Sequence, residues 1–69
     1  MQMPLFVERL KELRASKNLT HRALGKAIGV SHVSIGSWER GTLPNIKHLE
    51  LLAKFFNESA DYLIGLKDS

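Results

Sequence analysis

Sixty-nine residues, 43% of them hydrophobic, bound this chain to one domain over residues 1–69, with stability drawn from a small apolar core. With no cysteine there is neither a disulfide nor a thiolate site, and His21, His32 and His48, spaced by 11 and 16 residues, match no common zinc pattern; no metal and no cofactor are expected. The net charge of +3 hides an asymmetry, +5 over residues 1–49 against −2 over residues 50–69, and it points the first part of the chain toward a polyanionic partner.

Five helices can be bounded in chain order. Pro4 suits the first turn of a helix running to about Lys17, with Phe6, Leu10 and Leu13 on one face. Asn18 is able to take the left-handed conformation that ends it. Thr20 caps a second helix that turns Leu24 and Ile28 inward and stops at Gly29. Ser31 caps a third, with Ile35 and Trp38 inward, and Gly41 to Pro44 form a loop. Asn45 caps a fourth, whose apolar stripe is Leu49, Leu52, Ala53 and Phe56. Ser59 caps a short fifth, with Tyr62, Leu63 and Leu66 facing in and Asp61 in its positive first turn. No window alternates long enough to predict a strand, so the expected fold is all-α.

The run Thr20 to Gly41 is the most informative segment. Two helices crossing steeply need an unusual backbone between them, and Gly29 supplies the positive φ. Val30 plugs the corner, while Gly25 lets the third helix approach the second closely. The second helix of the pair keeps small and polar side chains on its outer side, a surface thin enough to enter a DNA major groove. From 100° steps with Ile35 and Trp38 inward, the outward positions are His32, Val33, Gly36 and Ser37, with Ser31 at the tip and Arg40 near the far end.

Thr20–Gly41, with Pro44-Asn45 and the closing LELLAKFFNESADYLIG, resembles the lambda-repressor-like helix-turn-helix family, which includes phage repressor and Cro proteins and many bacterial regulators. The resemblance covers residues 5–66 and is carried most specifically by Ile35, Trp38-Glu39-Arg40-Gly41, Pro44 and Asp61 to Gly65. Gly25 departs from it, because alanine is commoner at that position. The resemblance implies a compact five-helix domain that binds two-fold-symmetric operator DNA as a homodimer. It also implies base-edge contacts from Ser31, His32, Val33, Gly36 and Ser37, and a phosphate- or base-contacting residue at His21. Arg22, Lys26, Lys17, Arg40, Thr42 and Asn45 surround the start of the second helix as further phosphate candidates, since free N–H groups there favour an anion. Arg14 and Glu39 match a structural salt bridge of the family. Of the outward residues, Val33 has only a thymine methyl to read, Ser31 and Ser37 can donate or accept, and His32 can donate to a guanine.

The function expected is sequence-specific double-stranded DNA binding that regulates transcription, by repression. Two alternatives are the antitoxin of a toxin–antitoxin pair and a helical protein–protein adaptor, the latter requiring an exposed apolar groove. Catalysis is not expected, because the nominal Ser/His/Asp set has no deep pocket to work in, and no small-molecule ligand is identified. The chain has no apolar run of ~20 residues and no secretory signal, so a cytoplasmic location is expected. A dimer surface including Leu43 and Leu66 is expected, and Lys67-Asp68-Ser69 reads like the start of a linker to a further part of a longer repressor.

Overall fold

The computed structural model describes residues 5–68, and the expected role of Pro4 lies outside them. Five helices follow in order: α1 Leu5–Ser16, α2 His21–Ile28, α3 His32–Glu39, α4 Ile46–Phe56 and α5 Ala60–Ile64. There is no strand among the described residues.

The boundaries are set by local chemistry. Thr20, Ser31, Asn45 and Ser59 each have extended backbone, and each side chain accepts a hydrogen bond from a first-turn N–H: Ala23, Val33, His48 and Tyr62 respectively. Each cap satisfies an N–H that the helix itself leaves unpaired, an interaction typically worth ~1 kcal/mol. At the other ends, Gly29 closes α2 with φ 78°, and Asn18 and Asn57 take the left-handed region at φ 55° and 56° after α1 and α4.

The core is Phe6, Val7, Leu10, Leu24, Ile35, Trp38, Leu52, Phe56 and Leu63, every helix contributing at least one side chain. Fully burying such side chains stabilises by ~1.5–3 kcal/mol each before the entropy of ordering them is counted. Val7 is fully buried although it lies off the narrow Phe6/Leu10/Leu13 stripe, and Leu13 is only half-buried. The buried strip on α1 is therefore wider than a single i, i+4, i+7 row.

Leu66 corrects an expectation. It was expected to face inward, but α5 ends at Ile64 and Gly65 turns the chain with φ 92°, leaving Leu66 72% exposed. Arg9 does the fastening at this end: its guanidinium donates to the carbonyls of Tyr62 and Lys67 and lies 4.1 Å from the centre of the Tyr62 ring. A cation over an aromatic face adds to those hydrogen bonds.

Candidate nucleic-acid interface

The connection between α2 and α3 is three residues long. Gly29 is left-handed, Val30 packs against the core and donates its N–H to the Gly25 carbonyl at 2.9 Å, and Ser31 opens α3. The close approach is visible at Gly25, where a Cβ would stand 2.5 Å from the Val30 carbonyl oxygen and 3.2 Å from His32 N. Real Cβ atoms are not found so close to backbone, so a hydrogen at this position is what lets α3 begin where it does.

Behind α3, Ile35 and Trp38 are buried, with the Trp38 ring 5.5 Å from that of His48. Trp38 is a core residue. Glu39 is buried beside them and is gripped by a two-pronged ion pair: Arg14 Nε donates to Oε2 at 2.6 Å and Nη2 to Oε1 at 3.0 Å. Arg14 Nη1 also donates to the Leu19 carbonyl at 2.8 Å, so one guanidinium ties α1, the approach to α2 and the end of α3 together. Burial pushes the Glu39 carboxyl up, but hydrogen bonds from Arg14 and His21 and the nearby Arg14 charge outweigh it, and its pKa falls below the usual carboxylate range. Arg14 moves upward, mainly through the hydrogen bond to Glu39 and against its own partial burial.

The outer side of α3 is mixed. Val33 stands 61% exposed, and Ser31 is exposed while its hydroxyl oxygen serves as the cap. His32 and Ser37 are half-buried at the surface, and Ser37 Oγ accepts from Arg40 Nη2 at 3.3 Å.

Gly36 does not belong to this outer set. It is buried, because two long side chains cross it: a Cβ there would meet Arg40 Nη1 at 3.2 Å and His21 Nδ1 at 3.6 Å. Its helical angle points outward, but its surroundings close over it.

The basic residues divide as well. Arg22, Lys26 and Arg40 are exposed, as are Thr42 and Asn45, although the Asn45 side-chain oxygen is engaged by the His48 N–H. Lys17 is exposed as well, its ammonium 5.7 Å from the centre of the Phe55 ring on α4. His21 is partly exposed and its Nε2 lies 3.2 Å from Glu39 Oε1. Arg14, Thr20, His21, Arg22 and His32 line an open groove of about 520 Å³ at the start of α2, where helix N–H groups and side-chain cations favour an anion. The Glu39–His21 contact was not anticipated; His21, eighteen residues earlier, carries no local spacing signal for it.

Known proteins share this arrangement. The helix-turn-helix family profile matches residues 10–63. The chain is 42% identical over 65 residues to repressor protein C2 of Salmonella phage P22, covering 93% of this chain and 30% of that protein. It is 40% identical over 61 residues to the HTH-type transcriptional activator BcrR of Enterococcus faecalis, covering 87% of this chain and 30% of that one. The chain thus spans about a third of the length of these relatives. The crystal structure of the P22 c2 repressor in complex with a synthetic operator superposes with a TM-score of 0.82 at 40% identity, covering 93% of this chain and 96% of that one. The five-helix order, the Gly29 corner and the braced third helix place this chain in the helix-turn-helix family, in its lambda-repressor-like branch.

Proposed function

We propose that this chain binds double-stranded DNA in a sequence-specific manner and regulates transcription, with α3 in the major groove. The observation that carries this reading is the two-sidedness of α3. Its inner side is locked by Ile35, Trp38 and the Arg14–Glu39 pair, while Ser31, His32, Val33 and Ser37 stand at the surface of its outer side. Likeness to a repressor solved on operator DNA supports the same placement.

Within this reading Val33 packs on a thymine methyl group, Ser31, His32 and Ser37 meet polar base edges, and Arg22, Lys26, Arg40, Thr42 and the Asn45 amide contact the DNA backbone. Lys17, exposed near the Phe55 ring, remains a further phosphate candidate. Gly36 is left out of direct base contact because it is covered. Repression needs only occupancy of a promoter-overlapping site; an activator among the relatives keeps activation as the second reading. No step of either requires catalysis. Such a regulator works in the cytoplasm, where bacterial or phage DNA is read.

Two copies are expected on one operator, half-sites about 34 Å apart. The exposed apolar residues Leu43 and Leu66 are candidates for the contact between copies. Selection of bound sequences from a random duplex pool at fixed salt tests binding, two-fold symmetry and spacing together. On the selected operator, Val33→Ala should cost ~1–3 kcal/mol where a thymine faces it and little where that thymine is replaced. Equal weakening on every duplex would remove Val33 from base reading.

A further inference from the structure

The surface above Gly36 is built by residues other than Gly36. His21 comes from α2, and its Nδ1 and Cε1 lie 3.6 and 3.8 Å from where a Cβ would be. Arg40 Nη1 lies 3.2 Å from the same point, so the imidazole and the Arg40 guanidinium together border the space that a side chain at position 36 would enter, on the side of α3 shared by His32 at i−4.

The other ring nitrogen, Nε2, faces Glu39 Oε1 at 3.2 Å. Glu39 is buried and paired to Arg14, so its carboxylate is ionised and only accepts hydrogen bonds. The hydrogen of the neutral ring must then sit on Nε2, and Nδ1 carries a bare lone pair. No described residue donates to Nδ1, and no buried polar side-chain atom among them lacks a partner, so Nδ1 is open to solvent.

We infer that His21 is a base-reading residue whose tautomer is set by Glu39: Nδ1 accepts a hydrogen bond from an exocyclic amino group, adenine N6 or cytosine N4, on the base facing Gly36. This rests on the DNA-binding reading given above. Phosphate oxygens offer only lone pairs, so the neutral ring held this way has nothing to donate to them, and the phosphate role expected for His21 gives way to base readout. Guanine O6 and N7 and thymine O4 are acceptors too, and they meet Nδ1 as lone pair against lone pair. Adenine and cytosine are favoured over guanine and thymine at that one position. Glu39 is the positioning residue, touching no DNA and acting through the ring.

Two measurements test this on the full chain. Nitrogen-15 NMR of the free protein should show the His21 ring protonated at Nε2 alone. An Nδ1–H tautomer or an even mixture overturns the inference without reference to DNA. On the selected operator, adenine or cytosine analogues lacking the amino group are then placed one at a time through the half-site. One substitution should weaken the wild-type chain about 2- to 12-fold, the range of a single neutral hydrogen bond, and leave the affinity of His21→Ala unchanged. If no deletion is felt, or His21→Ala suffers the same penalty, the inference falls while DNA binding stands. If no duplex is selected at all, both fall.

Discussion

The fold contains two helix–turn–helix units built on one plan, and the proposed reading surface belongs to only one of them. In the first, α2 ends at left-handed Gly29, Val30 follows, and Ser31 caps α3. In the second, α4 ends at left-handed Asn57, Glu58 follows, and Ser59 caps α5. Even the closing hydrogen bonds correspond: Val30 N–H to the Gly25 carbonyl at 2.9 Å, and Glu58 N–H to the Ala53 carbonyl at 3.0 Å. The turn geometry therefore does not distinguish the two units. What differs is the residue four before the corner, glycine against alanine, and what stands behind and in front of the second helix. Helix α3 has eight residues, an ion pair at its back and an outer side carrying Ser31, His32 and Ser37; α5 has five and leaves Ile64 exposed, with Leu66 just beyond it.

The ion pair should be the most consequential difference to break. Arg14→Met leaves a buried carboxylate with only His21 beside it, and should cost about 3 kcal/mol in chemical denaturation, the low end for a broken buried pair because Arg14 is itself partly solvated. A loss below ~1 kcal/mol would mean that the pair is ornamental.

Acid gives the same bond a second test. The folded pKa of Glu39 lies below its unfolded one, so its contribution is complete above the ordinary glutamate range and is lost as pH falls through the folded value. In Arg14→Met, burial is left to dominate and pushes that pKa upward. The stability gap between wild type and variant should narrow steadily as the pH is lowered through the carboxylate range. A constant gap would assign the loss to packing of the Arg14 stem instead of to charge.

Gly25→Ala makes the first unit resemble the second at the approach position. Alanine gains roughly 1 kcal/mol of helix propensity over glycine, but its Cβ meets backbone at 2.5 Å and must push α3 away, a strain of about 1–3 kcal/mol. A net loss near 1 kcal/mol is expected, together with weaker specific binding as α3 shifts against its brace. Ala53→Gly, made in the second unit, should lose a similar amount through helix propensity together with the methyl's contact to the core, and leave DNA affinity untouched. If Gly25→Ala stabilises the fold, the two units approach equally closely and Gly25 does not set them apart.

What was legible in the sequence followed from chemistry local to a few residues. Thr20, Ser31, Asn45, Ser59 and Gly29 announce helix ends by side-chain or backbone properties that need no tertiary knowledge. Ile35 and Trp38 were placed by periodicity, and the Arg14–Glu39 pair by family resemblance. Periodicity failed where long side chains reach across it. Gly36 has an outward angle yet lies under His21 and Arg40, and no helical wheel includes a side chain arriving from a neighbouring helix. Leu66 departs for a different reason: left-handed Gly65 ends α5, so the helical period does not extend to Leu66. Val7 was missed because a helix with α3 and α5 packed on it buries more than one row.

The smallest change is the most direct comparison of the two corners. Gly29→Asn copies the residue of the second turn into the first. The φ of 78° is open to asparagine, and a Cβ there would meet nothing within 4 Å, so only the backbone preference is altered. A loss of about 0.5 kcal/mol is expected in thermal or chemical unfolding, with the affinity for the selected operator unchanged. A large fall in affinity with little loss of stability would mean that the corner itself touches DNA. In that case the distinction between the two units would lie in the turn after all.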